Sequence, residues 1–92
     1  MEVDEQFIKE IVRLVYLILD KVKDRISKQL RKSIIESIEC NEWGIAFDCI
    51  IADLYEEDQF ISVEEYNLIE IAAKMMKLEE NEYLYIKERI KG

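Results

Sequence analysis

The sequence predicts an all-α protein, a single domain built as a small bundle of about five helices. Its 92 residues are enough for one small domain with a modest core. Proline is absent and glycine occurs only as Gly44 and Gly92, so the residues that punctuate strands and hairpins are almost missing. The hydrophobic residues, 50% of the chain, recur at the three- and four-residue spacing of an amphipathic helix. Together these observations favour one helical domain over residues 1–92.

The first two helices are predicted from rows of apolar residues. The first should extend from about Asp4 to Lys23. Its apolar row consists of Phe7, Ile11, Leu14, Ile18 and Val22, with Ile8, Val15 and Leu19 alongside. A second helix should begin near Ser27. Its apolar row consists of Leu30, Ile34 and Ile38, with Ile35 beside them. Asn41 is predicted to break the chain there and to cap the third helix.

The third helix is predicted from about Glu42 to Glu57. Its apolar row consists of Trp43, Phe47, Ile50 and Leu54, with Ala46 and Ile51 beside them. Gly44 lies near the start of this helix and allows two interpretations. Either another backbone approaches closely where the side chain is missing, or the residue is a helix-start glycine with no such role. The sequence favours neither interpretation.

The clearest local signal is the stretch FISVEEY. Ser62 and Glu65 have the spacing of a capping box, in which each side chain accepts a hydrogen bond from the other residue's backbone N–H. Ile61 and Tyr66 occupy the two positions of a hydrophobic staple. A fourth helix is therefore predicted from Ser62 to about Met76. A fifth, from about Glu80 to Ile90, is too short to persist unless it docks onto the others.

The sequence lacks the residues of most catalytic sites. Histidine is absent, which excludes a Cys/His zinc site and any nucleophile activated by histidine. We therefore expect neither enzymatic activity nor a cofactor. Cys40 and Cys49 are interpreted as small buried apolar residues. The acidic N-terminus does not resemble a signal peptide, and no segment is long and apolar enough to span a bilayer, so we expect a cytoplasmic protein without a membrane partner.

Charge is distributed unevenly along the chain. The net charge is −8, yet residues 41–70 contain 9 acids and no Lys or Arg, while the basic residues concentrate in residues 21–32. An acidic protein is unsuited to nucleic acid and suited to a basic partner. Packed as an antiparallel hairpin, the third and fourth helices would present one acidic surface. The residues predicted to contact the partner are Asp48, Asp53, Glu56, Glu57, Asp58 and Glu64. Ordinary solubilising charge is the alternative explanation.

The aromatic residues also allow two interpretations. Tyr55, Tyr66, Tyr83 and Tyr85 have the chemistry of interface anchors, but an amphipathic ring at the edge of the core is the favoured interpretation for each. Trp43 belongs to the apolar row of the third helix and is assigned to the core.

Two stretches, ECNEWGIAFDCIIADLYEED and ISVEEYNLIEIAAKMMKL, resemble the MafI-like immunity proteins of bacterial polymorphic toxin and contact-dependent growth inhibition systems. The resemblance covers roughly residues 26 to 78. Its motif residues are Glu42, Trp43, Gly44, Ala46, Leu54, Tyr55, Glu56, Ile61, Ser62, Tyr66, Leu68, Ile69 and Met76. These are mostly residues of the core, so the motif is more specific for the fold than for the partner.

The resemblance implies a small helical protein that binds a cognate toxin domain and blocks it. In such families the toxin is commonly an RNase, including the EndoU-like type, whose cationic cleft an acidic helical surface would occupy. We expect a monomer or a weak homodimer. Two other hypotheses remain: a helical adaptor that binds a partner helix in an apolar groove, and a metal-dependent enzyme that uses clustered carboxylates.

Overall fold

Four α-helices and three shorter 3-10 helices form the secondary structure of residues 5–91, the part of the chain that the computed structural model describes. The α-helices are α1 (Glu5–Val22), α2 (Lys28–Glu39), α3 (Trp43–Glu56) and α4 (Val63–Met75). The 3-10 helices are Lys23–Arg25, Glu80–Glu82 and Leu84–Arg89. The predicted all-α class is thus confirmed. The predicted start of the first helix at Asp4 lies outside the described residues.

One apolar core joins all four α-helices. The buried side chains of α1 and α2 are Ile11, Leu14, Val15, Ile18, Leu19, Val22, Ile34 and Ile38, and those of α3 are Ala46, Phe47, Ile50, Ile51 and Leu54. These rows match most of the prediction, but Ile8, Leu30 and Trp43 are only partly buried, and two further residues are exposed. Phe7 is 39% exposed and Ile35 is 37% exposed. Phe7 lies in the first turn of α1, and Ile35 lies at a groove between α1 and α2.

The helices do not pair as the charge pattern suggested. α3 packs against α2, against α1 and against the last part of the chain, whereas α4 packs mainly against α1. The predicted antiparallel pairing of the third and fourth helices is therefore wrong. α1 contacts both α3 and α4, so it is the shared neighbour of the two helices that were expected to pair with each other.

The chain after α4 docks as two 3-10 helices rather than as one α-helix. We call residues 80–91 the closing segment. Its Tyr83 and Ile86 are buried, and side chains three residues apart lie on the same side of a 3-10 helix. A parallel bridge ties its end to the start of α4, because the Ile61 N–H donates to Arg89 O (2.9 Å) and the Lys91 N–H donates to Ile61 O (2.9 Å).

Three α-helices end in a left-handed residue that is not glycine. The residues after their C-caps are Asn41, Asp58 and Lys77, with φ angles of 63°, 53° and 58°. Each end has the paired hydrogen bonds of a Schellman motif; after α2, the Glu42 N–H donates to Ser37 O (2.8 Å) and the Asn41 N–H donates to Ile38 O (3.1 Å). The prediction that Asn41 caps α3 is therefore wrong: it terminates α2, and the N-cap residue of α3 is Glu42.

Two predictions about helix starts are settled by local geometry. A Cβ added to Gly44 would have no atom within 4 Å, so the close-approach interpretation is wrong and Gly44 is a helix-start glycine. The capping box of α4 is confirmed, since the Glu65 N–H donates to Ser62 Oγ (3.0 Å) and the Ser62 N–H donates to Glu65 Oε1 (2.9 Å). Both staple residues, Ile61 and Tyr66, are buried.

Candidate functional site

α3 and the closing segment together present a cluster of carboxylates. Asp48, Asp53 and Glu56 project from α3, and Glu82 and Tyr85 come from the closing segment that packs against it. We call these five residues the acidic face. Within residues 5–91 none of its four carboxylates has an ion pair. The face therefore combines three acids predicted from the sequence with two residues brought to them by tertiary packing.

The pKa values of two carboxylates of the acidic face are raised, first by burial and then by a neighbouring carboxylate. Partial burial, followed by the charge of Glu82, raises the pKa of Asp48. Partial burial, followed by the charge of Glu56, raises the pKa of Asp53. In both residues the folded protein disfavours the ionised form that prevails at neutral pH. A cation brought against this face would reverse that effect, because an opposite charge favours the ionised carboxylate.

Tyr85 of the acidic face packs against Tyr55 of α3. The rings of Tyr55 and Tyr85 meet edge to face, with centroids 5.0 Å apart and an angle of 87° between their planes. Burial raises the pKa of Tyr85, and the charges of Asp48 and Glu56 raise it further. Both rings are half-buried, which supports the core-edge interpretation, whereas Tyr66 and Tyr83 are buried outright. Tyr83 is therefore unavailable as an interface anchor.

Not all of the predicted contact residues belong to the acidic face. Asp58 pairs with Arg89 (2.9 Å), and that guanidinium also lies 4.1 Å from the centre of the Tyr55 ring. Glu57 is exposed at the end of α3. Glu64 lies on α4 beside Lys21 and Leu17, at the groove between α4 and α1. The predicted set is thus spread over two regions, because α4 packs on α1 rather than on α3.

The charge of Asp48 provides a test of this arrangement. Asp48→Asn is expected to lower the pKa of Tyr85, because it removes the larger of the two carboxylate charges that disfavour the phenolate. The measurement is an NMR titration of tyrosines labelled with ¹³C at Cζ. Asp53→Asn is the matched control, since Asp53 does not contribute to the shift of Tyr85. An unchanged Tyr85 titration in Asp48→Asn would show that the two groups are not neighbours.

The basic stretch of residues 21–32 divides into two parts. Arg25 binds Glu65 through two hydrogen bonds of 2.6 and 2.8 Å, and Lys23 pairs with Asp20 (3.0 Å). This Lys23–Asp20 pair lies at an open groove of about 570 Å³ between α1 and α2, which we call the α1–α2 groove, and Lys28, Arg31 and Lys32 line the same groove. No ion pair within residues 5–91 involves these three cations. Tyr16, Leu19 and Ile35 form its apolar part.

The cysteines differ from the prediction. Both are free thiols, but Cys40 is exposed in the turn after α2, while Cys49 is partly buried against the core. The interpretation of Cys40 as a buried apolar residue is therefore wrong, because α2 ends before its side chain can turn inward. Among residues 5–91 no group of three or more Cys, Asp or Glu side chains is arranged to hold a metal ion. Within the same residues, every helix is too short or too polar to cross a bilayer.

Comparisons of this chain with protein-family models, with curated proteins and with solved structures return no match.

Proposed function

We propose that this protein is an immunity protein that binds and neutralises a cognate toxin domain. The toxin is a nuclease, most simply an RNase, and the acidic face covers its cationic active-site cleft in place of the RNA phosphates. Immunity of this kind needs no chemistry by the inhibitor: it requires occlusion of the cleft and charge that opposes the charge of the cleft.

The observation that carries this proposal is the uncompensated charge of the acidic face. Asp48 and Asp53 have raised pKa values, so the free protein holds these carboxylates at an energetic disadvantage. Perturbed groups of this kind cluster at functional surfaces more often than elsewhere. A nuclease cleft supplies Lys and Arg side chains arranged for phosphates, and the carboxylates would gain favourable interactions there that bulk water does not provide.

The test is a charge reversal on the acidic face. Asp48→Lys combined with Glu56→Lys is expected to weaken binding of the cognate toxin domain, which would be sought in a neighbouring reading frame, by a factor of about 100 or more, because several close charge pairs become repulsive. Binding is measured by calorimetry with the catalytically inactivated toxin, and protection is measured by co-expression rescue of bacterial growth. The variant should also show a shallower dependence of affinity on salt concentration than the original protein.

The control changes the net charge equally but on another surface. Glu36→Lys combined with Glu39→Lys alters two exposed carboxylates of α2 that line the α1–α2 groove. We expect toxin affinity to change by less than about threefold in this variant, since long-range charge effects are screened. Equal losses in both variants would indicate non-specific charge attraction, and no loss in the first would exclude the acidic face as the interface.

The second candidate function is a non-enzymatic adaptor that binds a partner helix in an apolar groove. The α1–α2 groove favours it, because it exposes Tyr16 and Ile35 side by side with Leu19. Recognition of this kind depends on apolar anchors. Ile35→Ser would therefore abolish binding of the partner helix, whereas the charge reversal on the acidic face would leave that binding intact. Tyr83 and Tyr85, two of the tyrosines considered from the sequence as interface anchors, lie outside the groove.

A further inference from the structure

The α2 wall of the α1–α2 groove has a charge order that complements itself. Six side chains of α2 line the groove, namely Lys28, Arg31, Lys32, Ile35, Glu36 and Glu39. Their spacing places them on one face of the helix. Three cations come first, one isoleucine follows, and two carboxylates come last. A second helix with the same face, laid antiparallel, would therefore set cations against carboxylates at both ends and isoleucine near isoleucine in the middle.

Side chains that line this groove are partly exposed or lack an ion pair among residues 5–91. Tyr16 and Ile35 are 39% and 37% exposed. Arg31 Nε is buried and has no hydrogen-bond acceptor among the described residues. A buried donor without an acceptor is energetically unfavourable, and a carboxylate from outside would not reach this atom. Arg31 also lines the groove and has no ion pair among the described residues, so a carboxylate in the groove would give its guanidinium a counter-ion. The groove therefore combines an apolar contact surface with cations that have no ion-pair partner among the described residues.

We propose that the occupant of the α1–α2 groove is the α2 helix of a second copy of this chain. In the resulting symmetric dimer, Lys28 lies opposite Glu39 of the second copy, and Arg31 lies opposite Glu36. The two-fold axis repeats each pair, as in any isologous interface. Ile35 packs beside Tyr16 and Leu19 across the interface. This inference does not depend on the immunity function, since the acidic face lies on α3 and the closing segment and remains free in the dimer.

The dimer is expected to be weak. Each chain carries a net charge of −8, so two copies repel each other at long range. The attraction comes from one helix face per chain, an area below that of stable interfaces. We therefore expect a monomer at micromolar concentration and a measurable fraction of dimer at about 1 mM.

A charge swap tests the antiparallel pairing directly. One variant combines Lys28→Glu with Arg31→Glu, and the other combines Glu36→Lys with Glu39→Lys. The association constant of each variant alone should fall by a factor of about 10 or more, because like charges then face each other at both ends of the paired helices. An equimolar mixture should form a heterodimer, since all four pairs are restored between the two variants. Sedimentation equilibrium at about 1 mM measures both effects, with circular dichroism confirming that each variant is folded.

The matched control combines Lys74→Glu with Lys77→Glu, two exposed lysines at the end of α4. It changes the net charge as much as the first variant and should dimerise as the original protein does, apart from the added long-range repulsion. Heterodimer formation by the mixture, together with monomeric single variants, supports the proposal. A wild-type protein that is monomeric at about 1 mM, a dimer that both variants retain, or a mixture that stays monomeric would overturn it.

Discussion

Glu65→Ala is expected to lower the free energy of unfolding by about 3 kcal/mol. The Glu65 carboxylate accepts the Ser62 N–H (2.9 Å) and two hydrogen bonds from Arg25 (2.6 and 2.8 Å). The Arg25 and Glu65 side chains are only 23% and 13% exposed, so the loss of the carboxylate leaves a poorly solvated guanidinium with only the exposed Asp24, at 3.6 Å, as a counter-ion. The same change removes half of the capping box of α4.

The neighbouring glutamate is the natural control. Glu64→Ala, at an exposed position in the same turn, should change the free energy of unfolding by less than about 0.5 kcal/mol. Glu65→Gln should be intermediate, because an amide oxygen still accepts the Ser62 N–H while the charge is lost. Urea denaturation monitored by circular dichroism measures all three. Equal stabilities for the alanine variants would show that the Arg25–Glu65 contact does not hold the fold together.

Glu65 also predicts how stability depends on pH. Its hydrogen bonds with Arg25 lower the pKa of Glu65 below its usual value of 4.5. The folded state therefore holds this proton less tightly than the unfolded state, so the contribution is fully present above pH 4.5 and is lost as the pH falls through the lower, folded-state pKa. Asp48 and Asp53 act in the opposite direction. Their raised pKa values lower stability at neutral pH, and protonation relieves that effect as the pH falls.

Ile86→Ala is expected to lower the free energy of unfolding by about 3 kcal/mol as well. Ile86 is fully buried although it lies on a short 3-10 helix. The closing segment packs against both α3 and α4, so a cavity at Ile86 weakens contacts with each. Because this segment also carries Glu82 and Tyr85, the variant should disturb the acidic face in addition to the core.

Leu84 provides the comparison within the same segment. It is 36% exposed, and Leu84→Ala should lower the free energy of unfolding by less than about 1 kcal/mol. Thermal unfolding monitored by circular dichroism ranks the two variants. If both have the same small effect, the closing segment is not docked as the structure places it, and the two closing-segment residues do not belong to the acidic face.

Local signals in the sequence predicted the helices well. The apolar rows of α1 and α3 were correct almost residue by residue, because side chains at helical spacing must share one face. The capping box was correct because it is a contact between residues three apart in the chain. The ends of the helices were harder to predict from the sequence. Asn41, Asp58 and Lys77 adopt positive φ angles that glycine usually marks, and a chain with two glycines offers no such marker.

The candidate site was predicted only in part, for a different reason. Asp53 and Glu56 lie three residues apart in one helix, so their proximity followed from the sequence alone. Asp48 lies further along the helix and is linked to Glu56 through Tyr85, which both charges affect. Glu82 and Tyr85 join them because the closing segment folds back over α3, and Glu64 is separated from them because α4 packs on α1. Likewise, Arg25 and Glu65 are 40 residues apart in the chain, and no local pattern predicts their contact.

The sequence by itself determined that this protein is helical, where its apolar faces lie, and that its negative charge is concentrated in one third of the chain. Those properties follow from interactions between residues a few positions apart, which spacing and capping chemistry reveal. Only the tertiary structure decided which helices are neighbours, and hence which carboxylates form a common surface and which are neutralised by arginine. That choice depends on how the apolar faces fill one shared core, which is a property of the whole chain.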